Sequence, residues 1–195
     1  HELEYLAQWG EESKRRPMYL WLYDTFPWEV AVNGKFHCFP GYFAHTVGEQ
    51  FKLFHEYGYR GIFHCGYGQE IEAYLTYKLM DDPTLDVDTL LDEYFTGMYG
   101  PAAEPMKRIY LEIEQVYGDP KSYPPAIAEG RTEGHHHQTE EIAWGWLGTQ
   151  ERMDRWQGYL DQAKALAPTG DEAARIAVFE KGIWNYMLAG RRKYS

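Results

Sequence analysis

The sequence predicts an α/β fold that gives way to an all-helical region, and three observations carry that expectation. First, an apolar and aromatic run from Met18 to Tyr23 stops abruptly at Asp24, the pattern of a strand covered on both faces. Second, a helical pattern separates it from a similar run, Gly61-Ile62-Phe63-His64-Cys65, so the order is strand, helix, strand. Third, beyond Pro83 the apolar residues recur only at helical spacing. Residues 1–82 therefore read as β/α units and residues 83–195 as a helical domain.

Taken in order, the chain opens in a helical pattern, with Leu3, Leu6 and Ala7 set against Glu2, Glu4 and Gln8. It starts without Met and reads as a piece of a longer protein. After the first strand, Thr25 to Ala44 is rich in Pro, Gly and Asn, long enough for a connection to carry function. Thr46-Val47-Gly48-Glu49 has the form of a capping box, and Val47, Phe51, Phe54 and Tyr57 follow at helical spacing until Gly58 supplies a stop. The two strands should lie parallel in one sheet, joined by a right-handed crossover. Ile71, Tyr74, Leu75 and Leu79 mark the next helix, ended by Asp82-Pro83. Asp86 is placed to cap a helix closed by Gly100, and Pro101 opens another carrying Ile109, Tyr110, Ile113, Val116 and Tyr117. Gly118 to about His137 lacks periodicity. Two further helices are expected, one with Met153, Trp156, Leu160, Ala163 and Leu166, the other with Ile176, Phe179, Ile183 and Met187 before Gly190.

Composition narrows the function classes. A net charge of -11, from 19 basic and 30 acidic residues, opposes nucleic acid and anionic membrane as partners, because both need clustered Lys and Arg. No run approaches the length of a membrane span. Aromatics reach 17%, with 7 Trp and 17 Tyr, more than core packing asks for. Such rings stack on pyranose faces and equally serve protein interfaces. Cys38 and Cys65 are the two cysteines, enough for one bridge and not for a disulfide framework.

In parallel α/β sheets ligands bind beyond the carboxyl ends of the strands, which directs attention to Tyr23-Asp24 and to His64 onward. Asp24 and Glu70 are the candidate catalytic carboxyls, since glycoside hydrolysis needs two such groups across the scissile bond. Tyr23, Trp28, His64, Trp21 and Tyr67 are candidate substrate contacts, with Phe26 beside them. Plainer explanations exist for each: Asp24 as a cap, His64 as a core histidine, Glu70 and Glu72 as complements to a helix macrodipole. Phe-His-Cys occurs at 36–38 and at 63–65, yet neighbouring residues on a strand face opposite ways, so no zinc site is expected there. His135-His136-His137 reads as a solvated stretch. The phosphate-binding glycine motifs and the serine nucleophile elbow are missing from the sequence, and no cofactor or metal is expected.

The stretch YLTYKLMDDPTLDVDTLLDEYFTGMYGPAAEPM resembles a family known as domain of unknown function 4838. The likeness rests on Tyr74-Leu75, Lys78-Leu79, Asp82-Pro83, Asp86-Val87-Asp88, Glu93-Tyr94-Phe95 and Tyr99-Gly100-Pro101-Ala102-Ala103. The upstream LWLYD and the downstream GIWNYMLAGRRKY resemble it too, while Met80-Asp81-Asp82-Pro83 departs from the family's apolar-Trp-Asp-Pro pattern. That resemblance implies the last strands of a glycoside-hydrolase-like (β/α)₈ barrel followed by a helical domain. It also implies kinship with endo-β-N-acetylglucosaminidases acting on N-glycans, and a secreted or periplasmic setting. No catalytic pair of the family maps onto these residues. The expected partners are a carbohydrate and an N-terminal barrel portion of the same protein, without which the isolated chain is expected to be inactive. Two other readings stand beside hydrolysis: a carbohydrate-binding module, and a helical protein-interaction unit.

Overall fold

The computed structural model describes residues 2–22, 36–64, 70–130 and 138–195. The chain divides into two compact units, one formed by His1–Phe26 and Phe43–Leu91 and the other by Pro27–Tyr42 and Asp92–Ser195.

In the first unit, α1 (Glu2–Ser13) precedes β1 (Tyr19–Leu22), α2 (Ala44–Glu56), β2 (Gly61–His64) and α3 (Glu70–Asp81), and α4 (Val87–Tyr99) begins here. The two strands pair in parallel, Tyr19 with Gly61, Leu20 with Ile62, Trp21 with Phe63 and Leu22 with His64, as the strand-helix-strand order requires. Residues two apart share a face, so Tyr19, Trp21 and Phe63 lie together, and all three are exposed. Against this sheet the core is built by α2 and α3, through Val47, Phe51, Phe54, Ile71, Leu75 and Leu79.

Local chemistry sets the ends of α2. Its last turn closes in a Schellman arrangement, with the Tyr59 N–H on the Phe54 carbonyl at 3.0 Å and the Gly58 N–H on that of His55 at 2.9 Å. Gly58 takes φ 76°, a left-handed conformation natural to glycine. The Tyr59 and Phe54 rings meet edge to face, 6.0 Å apart, supplying the apolar contact that accompanies this motif. At the other end the expected capping box is not formed. The helix starts at Ala44, ahead of Thr46, and the residue before it, Phe43, makes no side-chain cap. Its backbone N–H is instead bonded by the Glu72 carboxylate at 2.8 Å, so a side chain from α3 does what Thr46 and Glu49 were expected to do.

The second unit contains the rest of α4, then α5 (Ala103–Gly118), the single turn α6 (Pro125–Ala128), α7 (Gln150–Leu166), α8 (Gly170–Phe179) and α9 (Asn185–Tyr194). Asp86 caps α4 as expected, accepting the Thr89 N–H at 2.9 Å. Gly100 closes it at φ 49°. Two π-helical stretches, Ile142–Leu147 and Glu180–Trp184, interrupt the regular ladder. The carbonyls of the first are held by arginines, with Arg152 bonding those of Trp146 and Leu147 and Arg191 bonding that of Trp144. Trp144, Trp156, Trp184, Leu160 and Met187 form the centre of this core.

Gly190 does not end a helix. The chain stays helical to Tyr194, and a Cβ at Gly190 would lie 2.3 Å from the Trp144 ring, so glycine is there to admit the indole. Leu166, assigned to a core face, is exposed.

The barrel expectation is overturned. Among the described residues the protein is mostly helical, at 74%, and these residues form only a two-stranded sheet, with no (β/α)₈ portion evident. The strand-helix-strand pattern is a local signal and specifies one crossover unit, not the sheet around it. Apolar runs that suggested strands covered on both faces deliver four residues each to the ladder, and one face carries Trp21 at 63% and Phe63 at 58% exposure.

Candidate functional site

The register joining Leu22 to His64 brings the carboxyl ends of β1 and β2 to the same end of the sheet. Two candidate residues, Trp21 and His64, can be placed there. Trp21 stands on the exposed face with its ring centroid 4.9 Å from that of Phe63 and the planes at 66°, an edge-to-face aromatic pair open to solvent. His64 faces the other way, on the helix-covered side, and both its ring nitrogens are shielded from solvent. Trp21 and His64 thus share a sheet end and not a face. Glu70 is exposed at the first position of α3, where a carboxylate complements the helix dipole. Tyr23, Asp24, Phe26, Trp28 and Tyr67 lie outside the described residues, as do Cys65 and His135 to His137.

Glu72 is the residue the sequence reading undervalued. It is fully buried, and its bond to the Phe43 N–H ties the first turn of α3 to the start of α2. Placing a carboxylate at the positive end of α2 makes its burial tolerable, since the N–H groups there have no intrahelical partner. A signal was available: Glu72, Thr76 and Leu79 follow one another at spacings of four and three, which puts Glu72 on the buried stripe of the helix beside Leu75.

Two polar clusters in the helical unit are structural in character. Glu112 accepts from Arg155 Nε at 2.8 Å, Trp156 Nε1 at 3.0 Å and Tyr159 Oη at 2.9 Å. Burial pushes its carboxyl up, but the bonds from Arg155, Tyr159 and Trp156 outweigh that and hold it below the ordinary carboxylate range. With both oxygens engaged, this carboxylate binds α5 to α7. The second cluster holds residues 37–42. Gln138 accepts the Phe39 N–H at 2.7 Å and donates to the Phe39 carbonyl at 2.9 Å. Trp144 Nε1 donates to the His37 carbonyl at 2.6 Å, and the Cys38 N–H donates to Tyr186 Oη at 2.9 Å. Tyr42 stacks on Tyr110 with centroids 3.6 Å apart. Burial pushes the Tyr186 phenol up, so it remains protonated and neutral there. The later part of the long connection after β1 is thereby packed as core.

Among the described residues no three His, Cys, Asp or Glu side chains are grouped to hold a metal ion, and no helix is long and apolar enough to cross a membrane.

These features define a mostly helical protein that contains one parallel crossover unit. The family model for a domain of unknown function (DUF4838) matches residues 3–112, and the chain belongs to that family. No curated protein and no solved structure matches it.

Proposed function

We propose that the carboxyl end of the β1–β2 pair is a carbohydrate-contacting rim, and that the protein hydrolyses β-linked glycans containing N-acetylglucosamine. The observation that carries this reading is the parallel register ending at Leu22 and His64, because the segments bearing Asp24 and Glu70 then leave from one end of the sheet. Trp21 supports it as an exposed ring on which a sugar face can stack. In the reaction, one carboxyl group protonates the glycosidic oxygen as the anomeric C–O bond breaks. The other, ionised, either attacks the anomeric carbon or takes a proton from the attacking water. Asp24 and Glu70 are assigned to these roles.

The test is turnover and binding of β-1,4-linked N-acetylglucosamine oligomers and of complex N-glycans, with products read by mass spectrometry. Asp24→Asn and Glu70→Gln should each reduce turnover by about 100-fold or more, and Trp21→Ala should weaken binding. Unchanged turnover in both carboxyl variants removes this pair from the mechanism, and an absence of saturable binding overturns the rim itself. One observation favours a second reading. The position of Glu70 is fully accounted for by the helix dipole, so the rim can bind glycan without cutting it. Saturable binding with no product selects that reading.

A further inference from the structure

The opposite end of the same strand pair carries a separate feature. Where β2 begins, a cleft of about 90 Å³ opens to solvent between the last turns of α2 and α3. Its floor is apolar, made by Phe51, Phe54, Ile62 and Leu79. His55 and Arg60 stand among its walls beside Met80, and no carboxylate lines it. In a chain of net charge -11, the fully charged group among the described lining residues is the Arg60 guanidinium.

Arg60 has no ion-pair partner among the described residues. Its one recorded bond is from its backbone N–H to the Met18 carbonyl. Asp82, close by in the chain, directs its carboxylate to the Thr84 N–H and hydroxyl at 2.9 and 2.6 Å and lies within electrostatic reach of His55, which leaves Arg60 as the unpaired charge among the described lining residues. Helix C-termini ordinarily repel anions. At α2, however, the terminal carbonyls of Leu53, Phe54 and His55 are already taken by the N–H groups of Tyr57, Tyr59 and Gly58, so the Arg60 guanidinium dominates at the mouth.

We propose that this cleft binds a small branched aliphatic carboxylate, with the alkyl group on the Phe51, Phe54 and Leu79 floor and the carboxylate on Arg60. The volume limits the buried part to about four or five carbon atoms, since a water occupies roughly 30 Å³ and benzene fills a cavity of about 150 Å³. Arg60 offers a planar fork matched to a carboxylate.

The experiment is a titration of the full chain with 4-methylpentanoate, followed by methyl and amide NMR, with 4-methylpentanamide and acetate in parallel. Saturable shifts confined to Leu79, Met80, Ile62 and Arg60 are expected. The amide should bind about tenfold more weakly, one charge-assisted bond's worth, and acetate should not saturate over the same range. Arg60→Gln should reproduce the amide's loss, and Met80→Trp, which fills the mouth from an exposed position, should abolish the shifts while leaving the fold intact. Equal binding of acid and amide, an unaffected Arg60→Gln variant, shifts mapping elsewhere, or no saturation would each overturn the assignment.

Discussion

Replacing Glu72 by Ala removes the carboxyl group that accepts the Phe43 N–H at the start of α2. The lost interaction is a 2.8 Å bond from the Phe43 N–H to the Glu72 carboxyl group, and hydrogen bonds to a charged group contribute about 1.5–3 kcal/mol. The bond is part-buried, so solvation recovers only part of that. A loss of this size corresponds to roughly 10- to 100-fold faster opening of the first turn of α2. Amide hydrogen exchange followed by NMR reads it directly at Phe43, at Ala44 and at Val47, whose own N–H bonds the Phe43 carbonyl at 2.8 Å. Glu72→Gln keeps an acceptor of the same shape without the charge and should lose about half as much, near 1 kcal/mol. Exchange at Phe43 that is unchanged in Glu72→Ala would refute the idea that α3 caps α2, and Thr46 and Glu49 would then have to be the true cap.

Two further substitutions test the helical unit. Gly190→Ala would normally stabilise a helix by nearly 1 kcal/mol, but the new Cβ would sit 2.3 Å from the Trp144 ring. Overpacking should win, lowering stability by about 1–3 kcal/mol in urea titrations; a gain in midpoint would show that the indole moves aside. The depressed Glu112 carboxyl contributes stability that is present above the ordinary carboxylate range and lost as pH falls through its lower folded value. Glu112→Gln should therefore flatten the decline in urea midpoint between about pH 5 and pH 3, whereas parallel curves for the two proteins would assign that decline to other groups.

What the sequence disclosed was what neighbouring residues decide. Asp86 reaches a backbone N–H three residues on, and Gly58 closes α2 with groups inside a six-residue span; both were readable from order alone. The parallel pair was readable too, because a strand-helix-strand order leaves few alternatives. Interactions over longer separations escaped. Thr46 and Glu49 satisfy a capping pattern, yet a carboxylate 29 positions away holds the N–H. Gly190 looked like a stop because its other partner, Trp144, is remote in the chain. The barrel reading came from the family resemblance, and the residues themselves could not check it, since one crossover unit says nothing about how many strands accompany it. Of the proposed rim, Trp21, His64 and Glu70 can be located, and they do not converge on one face.

Because residues 27–42 belong with the helices while the segments on either side do not, the helical unit is discontinuous in sequence. Severing the polypeptide near residue 92 would strand the Gln138 amide, the Trp144 indole and the Tyr186 hydroxyl without the backbone they grip. Such a fragment is not a portable module, and a peptide spanning Phe36 to Tyr42 supplied in trans is the complement it would need.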